Sequence, residues 1–492
     1  MPELLDSSVE RRTYWSSRPL KLALFLVVGL LALVAVAALV LSRLDLKSRF
    51  ETLASDTAGM QVTVGGKVQV RMFPLLHVTL QDVHLRNRGA QVAAIGQADV
   101  AVALLPLLHK EVRVHSVSLL RLDLTLERDR NGKLNFELDK DSKSAVPATE
   151  LPDVSLKDAS FTYVNRQTGG EIHATDCALG NGHGALADAS NSRLMKRLSL
   201  SAKIECAQMR NEKFTGTDVA FEVDGKQGVF EFKPVTMRIL GGKGSGTIHA
   251  DFTNEVPVYQ VHYAVAKLRM QELAKTLKAK TTGDGLLDFS TDLSMRGRDA
   301  VAMTRTAQGE AVLSGTDLTL EMGNLDEKFS RYESSQNFNL IDVGAFFLAG
   351  PLGTAVTKGY NFATVLQTTQ GSTPVPTLIS HWHIEQGVAH ATDVAMATPK
   401  NRVAMKGSLN FVDKSFEDVT IALLDEEGCS RVEQKIHGPF AAPQIEQPNV
   451  LISLAGPVTR LLRSAKNLVG GKCAAFYTGS VAAPEPPDHR GT

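Results

Sequence analysis

The feature that most limits what this chain can become is a period of two. Apolar and polar residues alternate in Val62 and Val64, in Val68, Val70 and Met72, in Val112 and Val114, and in Leu120, Leu122, Leu124 and Leu126. The rhythm returns in Phe230 and Phe232, in Val235, Met237 and Ile239, in Leu318, Leu320 and Met322, and in Leu409 and Phe411. Successive side chains of a strand point to opposite faces, so each stretch presents one apolar row. Turn signals fall between the stretches, at Gly65-Gly66, Asn131-Gly132, Gly169-Gly170, Asp224-Gly225 and Gly241-Gly242. The pattern predicts a meander of about twenty antiparallel strands.

Helical candidates are few: residues 42–58, 270–280, part of 324–348, and 450–469. They cannot cover the apolar face of so many strands, as helices do in α/β proteins. The sheet must close, stack, or curl into a trough lined by its own apolar rows. The expected fold is therefore mainly β: one N-terminal transmembrane helix, then an elongated, curled antiparallel β-sheet groove with a few helices.

The transmembrane expectation rests on residues 22–41, LALFLVVGLLALVAVAALVL, which contain no charge. Twenty residues at about 1.5 Å each match a hydrocarbon core of about 30 Å. The competing reading is a cleavable signal peptide ending near Ala35 or Ala37, but the run exceeds the ~7–15 residues of such an apolar region. Arg11, Arg12, Arg18 and Lys21 before it nearly balance Arg43, Lys47 and Arg49 after it, so flanking charge does not orient it.

Cysteine does. The chain has four, Cys177, Cys206, Cys429 and Cys473, all beyond the apolar run and without zinc-site spacing. An even count on one side fits disulfides in an oxidising compartment, against the alternative of buried free thiols. Three connectivities are possible; the sequence-local pairs Cys177–Cys206 and Cys429–Cys473 are favoured. The resulting topology places residues 1–21 on the cytoplasmic side and residue 42 onward outside.

Composition excludes some classes of partner. With 53 basic and 53 acidic residues, the chain has no global field toward nucleic acid. Its 492 residues, 43% of them hydrophobic, are too apolar for disorder. Polar, Pro-containing connectors at 139–152 and 371–376 suggest β-rich regions at 42–140, 141–370 and 371–481, with a disordered tail at 482–492. The last β region is expected to carry the helix at 450–469, which Cys429–Cys473 would tie to the final strands.

Candidate chemistry is sparse. His381-Trp382-His383 puts two histidines on one strand face, yet no further metal ligand is evident and an exposed face is the better reading. Residues 241–246, GGKGSG, lack the phosphate-loop spacing and read as a tight hairpin. Gly244-Ser245-Gly246 does not complete a nucleophile elbow. Scattered Asp and Glu read as a solvated strand face. No enzyme activity, cofactor or metal is expected.

Several segments carry a family resemblance. RMFPLLHVTLQDVHLRN (71–87), LLPLLHKEVRVHSVSLLRLDLTLERDRNGKLNFE (104–137) and LPDVSLKDASFTYVNRQTGG (151–170) resemble the N-terminal region of AsmA-family proteins. RILGGKGSGTIHADF (238–252), TGDGLLDFSTDLSMRG (282–297) and QGEAVLSGTDLTLEMGNLD (308–326) are similar to its later segments. HIEQGVAHATDVAMATPKNRVAMKGSLNFVD (383–413) and GCSRVEQKIHGPFAAPQI (428–445) resemble its C-terminal part. The order of these segments carries the resemblance.

That resemblance implies a bacterial inner-membrane anchor, a periplasmic β groove related to bridge-like lipid transfer proteins, and phospholipid or outer-membrane and cell-envelope proteins as partners. Combined with the alternation, it makes Leu122, Leu124, Leu126, Phe230, Phe232, Leu318, Leu320, Leu409 and Phe411 the expected lining of a lipid-holding trough. The competing function is a tethered assembly or regulatory factor for outer-membrane proteins that holds no lipid.

Overall fold

The computed structural model describes residues 47–48, 51–52, 54–55, 60–71, 76–103, 113–135, 149–167, 169–186, 194–276, 282–321, 323–335, 371–446 and 473–484. The apolar run at 22–41 and the helix expected at 450–469 lie outside them. Among the described residues no helix is long and apolar enough to cross a membrane.

The strands are β1 (Gln61–Val64), β2 (Val68–Arg71), β3 (Leu76–Asn87), β4 (Ala90–Val102), β5 (Val114–Arg128), β6 (Thr149–Asn165) and β7 (Gly170–Leu186). They continue as β8 (Leu198–Asn211), β9 (Thr215–Lys226), β10 (Val229–Ile239), β11 (Gly242–Asp251), β12 (Val258–Arg269), β13 (Thr282–Asp284) and β14 (Leu286–Arg296). The last are β15 (Gln308–Glu321), β16 (Thr373–Glu385), β17 (Val388–Ala397), β18 (Arg402–Asn410), β19 (Ser415–Leu424), β20 (Ser430–Pro439) and β21 (Gln444–Ile445). Helices are short: α1 (Leu194–Arg197), α2 (Met270–Thr276), α3 (Ala300–Arg305) and α4 (Leu325–Ser335).

Among the described residues, all 21 strands form one sheet in which neighbours in sequence are mostly neighbours in space. β1 and β2 flank β3 on one edge, β14 pairs with both β12 and β15, and β20 and β21 close the other end. One pairing departs from the expected antiparallel meander, making the sheet mixed: β5 and β6 run parallel, from Ser116↔Asp153 to Arg128↔Asn165. A parallel pair needs a crossover connection between the end of β5 and the start of β6. The polar connector at 139–152 thus ends inside β6, and the sheet runs unbroken past it. It also continues from β15 to β16 past the connector at 371–376.

Most two-residue hairpins share one chemistry. Arg88-Gly89, Gln227-Gly228, Leu240-Gly241 and Gln386-Gly387 all have positive φ at both residues, and each joins directly paired strand ends. This geometry matches the right-handed twist of the flanking strands. The expected turn at Asp224-Gly225 is instead inside β9, three residues before the true turn at Gln227-Gly228. Gly225 is small for another reason: the Phe230 ring lies across it, where a Cβ would clash.

The strands bend where the alternation slips by one. Asp82, Asp158, Asp176, Asp218, Asp317 and Asp418 sit within strands with φ between 48° and 57°. Asp tolerates this left-handed region better than most non-glycine residues. Each is followed by apolar residues at the next position and two further on, as in Asp158-Ala159-Ser160-Phe161 and Asp218-Val219-Ala220-Phe221. The apolar spacing becomes i, i+3, i+5, so Leu156, Ala159 and Phe161 stay on one face through the bend and join one apolar cluster. From β3 to β9 the bends align: register brackets Asp82 against Gly96, Gly96 against Arg121, Arg121 against Asp158, and Asp176 against Ala207 and then Asp218. The aligned bends form a transverse crease across these strands. All six Asp side chains are exposed, as the solvated-face reading expects; what the alternation did not show is their left-handed backbone.

The apolar face has two characters. From β12 to β20 it is a filled core built on Trp382, Leu318, Leu320, Met396, Leu409 and Ile421, capped by Met270 and Leu273 of α2 and Leu325 and Phe329 of α4. The opposite face of β17–β19 is also buried, because residues 473–481 lie over Ala395, Ala404 and Ala422. From β4 to β9 the face is lined by smaller side chains and is partly open.

Candidate functional site

The open part of the apolar face holds a hollow of about 420 Å³ between β5 and β9. Leu126, Leu156, Phe161, Tyr163, Ile172, Leu179, Ile204, Met209 and Phe221 form its walls, and Ala174, Cys177 and Cys206 its floor. The parallel register sets Leu124 beside Phe161 and Leu126 beside Tyr163. The hollow exists because Ala159, Ala174, Cys177 and Cys206, all buried, are too small to fill the space beneath the larger rim side chains. Its size lies within the ~300–1,000 Å³ of small-molecule sites.

A disulfide lies in that floor. Cys177 and Cys206 are directly opposed on β7 and β8 and bonded, 29 residues apart in sequence. Cys429 and Cys473 are bonded as well, 44 residues apart. Both pairs are the sequence-local ones expected, and no free cysteine remains. The second ties residues 473–481 to the sheet. Arg402 donates to the Val481 carbonyl at 2.9 Å and its guanidinium stacks 5.6 Å from the Tyr477 ring centre. The Tyr477 hydroxyl donates to Asp393, and its burial pushes the phenol pKa up to about 12.

The expected lining residues divide by location. Leu126 lines the hollow, and Leu122 and Leu124 belong to the apolar cluster beside it. Phe230 and Phe232 pack with Ala202, Val223 and Ala250, and the Phe232 ring meets that of Phe221 at 6.0 Å, which continues the apolar surface from the hollow. Leu318, Leu320 and Leu409 are at most 1% exposed inside the filled core, and Phe411 packs on it, its ring 5.9 Å from that of Phe440. The structure leaves Leu124, Leu126 and Phe232 partly exposed on the open side, whereas Leu122 and Phe230 are buried in the apolar clusters beneath and Leu318, Leu320 and Leu409 are sealed in the filled core.

Sequence reading missed the other walls of the hollow. Leu156, Phe161, Ile172, Ile204 and Phe221 reach it through the parallel β5–β6 pairing and the crease, and an unbroken count of two passes over both. The signal available was the repeated unit of Asp followed by apolar residues one and three positions later.

The opposite face carries cross-strand His–carboxylate pairs: His249–Glu231 at 2.5 Å, His262–Asp292 at 3.0 Å and His381–Glu310 at 3.3 Å. His381 therefore bonds Glu310 on the outer face, while Trp382 between the histidines is buried and donates to Ser380 Oγ at 2.7 Å. The glycines of GGKGSG follow the Leu240-Gly241 turn into β11, where the Tyr263 ring crosses Gly244 and Gly246. Tyr263 has a buried hydroxyl with no hydrogen-bond partner among the described residues, and desolvation pushes its pKa to about 12.

A large mixed β-sheet with few helices and an apolar hollow on one face defines a β-groove protein. The AsmA family model matches residues 17–163 and 183–394, most of the chain, and the protein belongs to that family. Comparison with curated protein sequences returns no match.

Proposed function

We propose that this protein shields phospholipid acyl chains along its apolar β face, between an inner-membrane anchor at residues 22–41 and the cell envelope beyond. The observation that carries this reading is the hollow, a concave surface lined almost wholly by apolar side chains and joined to Phe232 through Phe221. An apolar surface of this kind is unfavourable in water, and each acyl methylene it buries contributes about 0.8 kcal/mol. The two disulfides support an oxidising compartment, in keeping with the periplasm. Lipid contact belongs to the β5–β10 stretch, at Leu124, Leu126 and Phe232. The filled core from β12 onward acts as the scaffold.

Photocrosslinkers at Leu124, Phe161 and Phe232 in the full-length protein test this, with one at Leu320 as the buried comparison. Phospholipid adducts at the first three positions, identified by mass spectrometry, are the expected result. Adducts with envelope proteins alone would instead support a tethered assembly factor that holds no lipid.

A further inference from the structure

The hollow lies against one long rim of the sheet. Leu126, Tyr163, Ile172 and Met209 sit within two residues of the ends of β5, β6, β7 and β8 that meet at this rim. Ile172, at 44% exposure, marks the opening. Arg128 follows Leu126 by two positions on β5, so its side chain leaves the same inner face about 7 Å further along, at the mouth.

Arg128 is half-buried at this mouth. Its Nε is shut off from solvent and has no hydrogen-bond partner among the described residues. With Nε out of solvent, the terminal guanidinium N–H groups are the ones that can meet a ligand, and they fit a phosphate or carboxylate with two parallel bonds. The carboxylates adjacent in sequence are engaged elsewhere. Glu127 points to the other face and holds Arg166 at 3.0 Å, a hydrogen bond that lowers its pKa below the usual carboxylate value. Asp129 accepts the backbone N–H groups of Asn131 and Lys133 at 2.8 and 2.9 Å. Exposed Arg86, Arg130 and Arg210 outnumber exposed Glu171 and Glu212 on the same rim, with Arg86 and Arg210 leaving its outer face beside inward Leu85 and Met209, so the rim as a whole is modestly basic.

We propose that Arg128 seats the phosphodiester of a glycerophospholipid whose acyl chain lies in the hollow, with the basic rim favouring headgroups of net negative charge. This rests on the lipid-shielding reading and adds to it a polar anchor and a substrate class. The chain supplies most of the affinity; the arginine selects the head.

The test uses full-length protein incubated with vesicles containing trace photoactivatable phosphatidylglycerol, diacylglycerol or fatty acid with matched chains, followed by quantified adducts. Wild type is expected to take phosphatidylglycerol about tenfold better than diacylglycerol, the size of one charged hydrogen-bonding contact. Arg128→Gln should erase that ratio by lowering phosphatidylglycerol capture while diacylglycerol capture stays the same, and Arg128→Lys should restore part of it. An unchanged ratio in Arg128→Gln overturns the seat and leaves lipid shielding standing. Equal loss of both lipids assigns Arg128 a structural role and also overturns it. Fatty acid captured as well as phosphatidylglycerol rejects the phosphodiester assignment. Phosphorus NMR line broadening of inorganic phosphate alone, abolished in Arg128→Gln, would reassign the site to a free anion. Capture of no lipid by wild type defeats the shielding reading itself.

Discussion

Strands β5 to β9 and strands β15 to β19 obey the same alternation, yet the first group leaves its apolar face partly open and the second buries it. The difference lies in side-chain size and in what covers the sheet. Around the hollow the inward positions include Ala159, Ala174, Cys177 and Cys206; at corresponding depth the second group carries Leu318, Trp382, Met396 and Ile421. Helices α2 and α4 add Met270, Leu273, Leu325 and Phe329 over the second group, and residues 473–481 cover its outer face. Alternation decides which face is apolar; volume and covering elements decide whether that face becomes a core or a surface for something else. The crossing of Tyr263 over Gly244 and Gly246 lies between the two regimes.

The strongest test of this contrast is one substitution made in both places. Leu320→Asp puts an uncompensated carboxylate into a site with 0% exposure and should cost about 4 kcal/mol or more, seen as loss of cooperative urea unfolding. Leu124→Asp, beside the open hollow, should leave a folded protein and act on lipid capture instead. Equal destabilisation by the two would remove the distinction.

The disulfides give the next largest effect. Replacing Cys177 and Cys206 together by Ala should lower stability by about 2–4 kcal/mol, since the bond closes a loop of moderate length. This loss should loosen β7 and β8 around the hollow, read as faster amide exchange there, while β15 to β19 keep their protection. Replacing Cys429 and Cys473 should do the reverse, releasing residues 473–481 from the filled half.

The crease offers a backbone test. Asp158 has φ 52°, so Asp158→Val should cost about 1–2 kcal/mol, whereas Asp158→Gly should be close to neutral. If the two variants unfold at the same urea concentration, the left-handed bend is not what constrains this position.

The smallest effect is a pH dependence. Tyr477, and Tyr263 likewise, has a folded-state pKa raised from 10.0 to about 12. The unfolded chain loses these protons first, so their contribution is fully present below about pH 10 and declines as pH rises through 12. Tyr477→Phe should flatten part of that decline in urea midpoints measured across the interval, and Tyr263→Phe another part.

How much of this was legible follows from the range of each interaction. The strand rows around Leu122, Leu124, Phe230, Leu318 and Leu409, the scarcity of helix and a turn near Gly241 depend on residues close in sequence, and the sequence by itself determined them; it favoured the local cysteine pairs over two other connectivities and set the turn one residue late, at Gly241-Gly242. α3 was missed because its signal is brief, a single cap in which Asp299 accepts the Ala302 N–H at 2.8 Å. The parallel β5–β6 register, the alignment of bends from Asp82 to Asp218, and the sealing of Leu318 and Leu320 beneath Phe329 were decided by the tertiary structure. Alternation states only that a side chain faces the apolar side. Whether it meets another side chain there depends on volumes contributed by strands and helices far away in the chain, and no local period encodes them.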